Sequence, residues 1–193
     1  MTDPRIRAAI LGGEAFLARV YNAYKAMQSP DGSNVWNTAL LIGWDEPGGT
    51  YDHVPPPSVP PPDPSAPAGQ DGFTFDRSGY RVPAIIVSPW VAEGEVFNEE
   101  HRHTSLIATL REQWGLGDPF TARDAAARTF SHVFTLDTPR DPATWPVPDP
   151  RPVPAFMEDP AALGASLSTL VLRNFLATIF PLLAPAPDSG TAT

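Results

Sequence analysis

Three carboxylates and one imidazole fall within nine residues of this chain: Asp45, Glu46, Asp52 and His53, in the segment Trp44-Asp45-Glu46-Pro47-Gly48-Gly49-Thr50-Tyr51-Asp52-His53-Val54-Pro55-Pro56-Pro57. Hard oxygen ligands beside a histidine suit a divalent metal. The same groups can move protons in acid–base catalysis. A solvated acidic loop would carry the same residue types, so composition alone leaves both readings open. The apolar run Ala39-Leu40-Leu41-Ile42 leads straight into the segment. Such a run reads as a strand buried on both faces, as in a parallel sheet, and in those sheets ligands gather at the carboxyl ends of the strands. Neighbouring strand residues point to opposite faces. Asp45 and Glu46 therefore reach one ion only if the chain turns at once, and Gly48-Gly49 permits that turn.

The elements that must hold this segment follow from periodicity. Asp3-Pro4 can start a short helix that stops near Gly12-Gly13. Residues 14–27 predict a second helix, with Phe16, Leu17, Val20, Tyr21, Tyr24 and Met27 on one face. Ser29-Pro30-Asp31-Gly32 is a turn. Residues 39–44 and 83–87 predict strands, and proline is tolerable at the start of the second. His103 to Trp114 predicts a helix with Leu106, Ile107, Leu110 and Trp114 inward and Gly115 as its stop. Residues 121–130 predict a short helix and residues 159–180 a long one, too short in its apolar part to span a bilayer. Helices alternating with short buried strands fit an α/β layer. Two strands do not make a well-covered parallel sheet, so the rest of the sheet is expected to be absent or supplied by another chain.

The 193 residues suit one domain with a sizeable core. A formal net charge of −9 argues against nucleic acid as a partner and against electrostatic attachment to anionic lipid. With 0 cysteines there is neither a disulfide nor a thiolate metal site. No basic stretch followed by an apolar run opens the chain, so no signal peptide is visible, and the compartment stays open. The 25 prolines cluster at residues 55–67 and 139–154, where extended backbone is favoured over helix. The first cluster reads as a rigid loop, with residues 58–72 irregular and exposed; a ligand for an aromatic groove is the competing reading. His101 reads as a solvated residue before a helix, and His132 as structural or exposed. Ser88 ends a strand, with no histidine beside it to activate it. Trp44 and Trp90, at the strand ends, read as core packing.

The central segment resembles the signature of the phosphoesterase family that contains bacterial phospholipases C and related acid phosphatases. That pattern runs Asp-Glu, any residue, Gly-Gly, two residues, Asp-His-Val and then prolines, and each fixed position from Asp45 to Val54 matches. Asn34 to Thr38 resembles the family's tryptophan-and-threonine lead-in. Gly79-Tyr80-Arg81-Val82-Pro83, running on to Ser88-Pro89-Trp90, resembles its Gly-x-Arg-Val-Pro strand. His103-Thr104-Ser105 resembles its His-Thr-Ser helix start. The resemblance implies a metal-dependent hydrolase of phosphoesters, phospholipid or phosphomonoester, in the fold of the alkaline-phosphatase superfamily. It implies Asp45 and Glu46 as metal ligands, with calcium, magnesium or manganese ahead of zinc. It implies His53 and His103 as catalytic-pocket residues, and Asp52 as the group that orients His53. The family has an acidic residue where Arg102 precedes His103.

Two family features have no counterpart in the sequence: an early Glu-Asn ligand pair and a hydroxyl nucleophile. The expectation is a partial three-layer α/β/α domain, its C-terminal portion, from a truncated or split enzyme that needs a missing N-terminal half. A catalytically inactive fragment or a binding piece is the alternative. Residues 1–136 would belong to that domain, 137–158 would form a proline-rich linker, and 159–193 a C-terminal helix and flexible tail.

Overall fold

The computed structural model of the chain describes residues 4–44, 46–49, 51–153 and 176–181. It is a mixed helix-and-strand protein divided into two compact units. The first comprises Met1–Asp45, Ala84–Pro89 and Thr138–Thr193; the second comprises Glu46–Pro83 and Trp90–Asp137.

In the first unit, helix α1 spans Pro4–Lys25 without interruption. The break expected at Gly12-Gly13 does not occur. Two helical glycines cost about 1 kcal/mol each relative to alanine, and the apolar stripe that follows them outweighs this. Tyr24 is fully buried in that stripe, with Leu17, Val20, Tyr21 and Met27 packed around it. Its hydroxyl donates to the Thr38 carbonyl at 2.7 Å, which fixes α1 to the start of strand β1, Thr38–Gly43. The lead-in to β1 is an asparagine clasp. Asn34 Oδ1 accepts from the Trp36 and Asn37 amides, and Asn37 Oδ1 accepts from the Asn34 amide at 2.7 Å. The residues expected as a lead-in thus form a self-bonded turn.

Strand β1 is buried along its length except at Gly43. Among the described residues it lies in the middle of a three-stranded sheet of order β2-β1-β3, between β2, Ala84–Val87, and β3, Leu176–Pro181. Both pairings are antiparallel, with Leu40 opposite Val87 and Ile179, and Ile42 opposite Ile85 and Ala177. The parallel arrangement expected from the apolar run is therefore corrected. A central strand is covered on both faces whatever direction its neighbours run. The third strand is a second correction. Residues 176–180, expected to end a long helix, are extended in β3; the rest of that expected helix lies outside the described residues. Leu-Ala-Thr-Ile-Phe is short, apolar and partly β-branched, a pattern in which helix and strand are hard to tell apart.

The core of this unit is Tyr24, Val35, Leu40, Ile42 and Trp145, with Trp44 and Val87 against it. Trp44 packs as expected. Trp145 comes from the stretch read as a linker. Its ring stacks on Tyr24 at 6.2 Å, and the adjoining backbone is tied to α1 by Lys25 Nζ to the Trp145 carbonyl and Tyr21 OH to the Pro146 carbonyl. Ser88 is fully buried, as a nucleophile open to substrate would not be.

In the second unit, helix α2 is His103–Trp114, with Gly115 closing it in the left-handed region at φ 61°. Ser105 and Ala108 are its buried residues, whereas Ile107 and Trp114 are exposed; the inward face is rotated from the one expected. The helix expected over 121–130 is only the single turn α3, Ala122–Ala125, capped by Thr121. The buried Asp124 explains the local geometry, since its carboxylate takes both terminal nitrogens of Arg111 at 2.7 and 2.8 Å and the Phe120 amide as well. The loop at 58–72 is exposed as expected over most of its length, but Val59 is buried and Gln70–Gly72 forms a 3-10 turn. Ser58 bridges Arg77, and Arg123 Nε donates to the Pro60 carbonyl at 2.8 Å. Pinned in this way, the proline run is a built loop rather than a free polyproline ligand. Among the described residues, no helix is long and apolar enough to cross a membrane.

Candidate active site

Gly48 and Gly49 follow β1 with φ of 66° and 79°. An L side chain is strained there, and the immediate turn expected after the strand is present. Seven residues on from Asp45, the Asp52 carboxylate is gripped by Arg81. Nε donates to Oδ2 and Nη2 to Oδ1, both at 2.7 Å, and the Val54 amide donates to Oδ1 at 3.0 Å. This two-pronged geometry is the one a guanidinium offers a carboxylate. The Arg81 hydrogen bonds first, and the Val54 amide second, hold the Asp52 carboxyl well below its usual range. Asp52 therefore stays charged throughout the neutral range and is no proton carrier.

The pair joins two motifs that lie 29 residues apart in sequence, Asp52-His53-Val54 and Arg81-Val82-Pro83. It also corrects the expected role of Asp52. His53 Nδ1 stands 3.7 Å from Asp52 Oδ1, beyond a hydrogen bond, and its side chain is 81% exposed. Asp52 orients the arginine, and His53 projects from the same clamped turn with its imidazole free to meet a ligand. Arg81 is the residue that sequence reasoning left without a role, although the arginine of the Gly-x-Arg-Val-Pro match was the available signal.

Glu46 is exposed in the loop after β1, and His103 is exposed as the first residue of α2. Asp45 lies outside the described residues. Among the described residues, no group of three or more His, Asp or Glu is arranged to hold a metal ion. The oxygen-and-imidazole chemistry of Asp45, Glu46 and His53 suits a hard divalent ion, but the described side chains do not complete a shell for one.

A second histidine arrangement lies in the same unit. His101 stacks on Phe130 at 4.7 Å and on His132 at 5.1 Å, and His132 meets the edge of Phe97 at 5.5 Å. His101 is thus packed, where a solvated residue was expected. Nδ1 of each imidazole faces a backbone carbonyl, Glu99 for His101 and Thr129 for His132, at 3.0 Å. Burial first, and then the charges of His132 and Arg128, lower the His101 pKa, while the Glu99 and Thr129 carbonyls oppose this. The folded state thus favours neutral His101. Its contribution to stability is whole above the unfolded value of about 6.5 and falls as pH drops from there through the lower folded value. Urea unfolding at pH 7.5 and pH 5 is expected to show a loss in the native chain that is smaller in His101→Phe; an equal loss in both would refute this.

The model of the phosphoesterase family matches residues 6–117. Non-specific phospholipase C6 of Arabidopsis thaliana is 38% identical over 159 residues, which cover 76% of this chain and 29% of that protein. Non-specific phospholipase C1 of the same plant is 37% identical over 152 residues, 72% of this chain and 28% of its own length. Phospholipase C B of Mycobacterium tuberculosis (strain ATCC 25618 / H37Rv) is 30% identical over 168 residues, 80% of this chain and 31% of its own. The chain thus spans less than a third of the length of these curated relatives.

Proposed function

Because the chain belongs to the phosphoesterase family, we propose that it is the C-terminal part of a metal-dependent phosphoester hydrolase of the phospholipase C or acid phosphatase type. The observation that supports this reading is the joining of two matched motifs, Asp52-His53-Val54 and Arg81-Val82-Pro83, by the Asp52–Arg81 pair. Asp45 and Glu46 are the proposed ligands of a divalent ion, calcium, magnesium or manganese ahead of zinc. Such an ion, when bound, stabilises negative charge on phosphoryl oxygens. His53 and His103 are the proposed pocket imidazoles, suited to holding or moving a proton at the substrate. The proposed setting is an alkaline-phosphatase-like three-layer α/β/α domain to which this chain gives strands and helices. The nucleophile and the other ligands belong to the part of the family's length not matched here.

The alternative is a catalytically silent binding piece. One assay separates the two. Hydrolysis of a chromogenic phosphomonoester and of a phosphocholine diester is measured with calcium, magnesium, manganese or zinc added. The chain alone is expected to stay near background, since phosphoryl transfer needs a positioned nucleophile and a full ligand shell. Turnover should appear on adding a polypeptide with the unmatched part of a relative such as phospholipase C B. No turnover in any combination would favour the silent piece.

A further inference from the structure

A cavity of about 420 Å³ lies in the second unit, between the residues that lead into α2 and those at the end of α3. Glu100 and Arg102 line it from the first stretch, and Ala125, Ala126, Ala127 and Arg128 from the second. The alanines bring no polar side chain, and their amides are already spent on the carbonyls of Thr121, Ala122 and Asp124. Recognition therefore falls to the two guanidinium groups and the one carboxylate. Arg102 donates from Nε to Glu100 Oε1 at 2.7 Å and from Nη1 to the Arg123 carbonyl at 3.2 Å. Its Nη2 makes no hydrogen bond among the described residues. The Arg102 side chain is only 17% exposed, so it is held in place before a ligand arrives, which lowers the cost of ordering it. Arg128 is exposed and makes no hydrogen bond or ion pair among the described residues. Arg123 adds to the charge nearby, since its guanidinium donates to the neutral Pro60 and Phe75 carbonyls. Asp124 is taken up by Arg111. Among the described residues, Glu100 is the one carboxylate paired with Arg102, Arg123 or Arg128. In a chain of formal net charge −9, this is a local excess of positive charge.

We propose that this cavity binds a phosphomonoester, with the phosphate between Arg102 and Arg128 and a small organic group against Ala125, Ala126 and Ala127. The planar guanidinium fork matches phosphate oxygens two at a time. A phosphomonoester is nearly doubly charged at neutral pH, so it answers both arginines where a carboxylate answers one. Glu100 competes with it for Arg102. The site stands on the cavity and its charges, not on the hydrolase reading above.

The test is calorimetric titration of the whole chain with glycerol 3-phosphate and with inorganic phosphate, acetate serving as the singly charged control. The expected result is saturable binding of both phosphates, tighter than that of acetate. Arg128→Gln is expected to weaken it about tenfold, the loss of a charged hydrogen-bonding partner. The melting temperature should not move, because Arg128 holds no partner in the fold. Glu100→Gln is expected to tighten binding by freeing Arg102, an effect that a merely structural Glu100 would not produce. A second arm separates the sources of the same chemistry. Phosphatidylcholine vesicles with and without phosphatidic acid, whose headgroup is also a phosphomonoester, are sedimented with the chain. Sedimentation that needs phosphatidic acid and is lost in Arg128→Gln assigns the site to a lipid headgroup. Calorimetric binding without sedimentation assigns it to a free phosphomonoester. Three results would overturn the proposal: no saturable binding of either phosphate, acetate binding as tightly as glycerol 3-phosphate, or an affinity unchanged in Arg128→Gln. None of them touches the hydrolase reading, because no residue lining the cavity is a proposed metal ligand or pocket imidazole.

Discussion

In the assembled hydrolase, Asp45→Ala is expected to bring phosphoester turnover to background, a loss of more than about a hundredfold. Removal of a residue that merely orients a ligand costs about 10–100-fold, and a carboxylate in contact with the ion should cost more. Glu46→Ala is expected to behave alike. His53→Ala should act differently if His53 is the proposed pocket imidazole, since its side chain is 81% exposed. It is expected to lower turnover while leaving calorimetric binding of manganese nearly intact. Asp45→Ala should abolish that binding together with the turnover. If manganese affinity survives Asp45→Ala unchanged, the ligand assignment fails, whatever happens to the rate.

The second large effect concerns stability. Trp145→Ala is expected to destabilise the chain by about 3–5 kcal/mol, the usual cost of emptying a buried tryptophan site. Trp145 is 5% exposed in the core, where it stacks on Tyr24 and lies under the Arg140 guanidinium at 5.5 Å. Among the described residues its indole nitrogen is buried without a hydrogen-bond partner, so the ring acts through packing and its contact with Arg140 rather than through a hydrogen bond. Trp145→Phe should therefore recover most of the loss. The backbone bond from Lys25 survives either substitution, because it falls on the carbonyl. The measurement is the urea midpoint at constant slope. A shift for Trp145→Ala as small as that of a surface change would show that the proline-rich stretch is a spacer after all.

What the sequence could disclose depended on how local each determinant was. Helix α2 and its glycine stop were legible because capping and periodicity act within a few residues. Strands β1 and β2 were legible as apolar runs. Their antiparallel pairing was not, because burial on both faces records the position of a strand in a sheet and not the direction of its neighbours. Gly12-Gly13 does not break α1, since glycine propensity is a weak local term and the stripe around Tyr24 is a strong tertiary one. Trp145 was overlooked because a lone aromatic among prolines has no period to reveal its face. In the candidate site, the Gly48-Gly49 turn could be read from residue type. The Asp52–Arg81 pair could not, as its partners lie 29 residues apart and nothing local couples them.

That pair also separates two jobs within one loop. It clasps the base, and the Ser58–Arg77 bridge adds a second tie just beyond it. Everything outside these ties, from Pro61 to Asp76, is mostly exposed chain. Doubling the length of a flexible loop costs only about 0.6 kcal/mol once its ends are fixed. The tip can therefore lengthen, shorten or exchange its sequence while His53 keeps its bearing. Such an arrangement lets the tip be remodelled while the clasped base beneath it stays as it is.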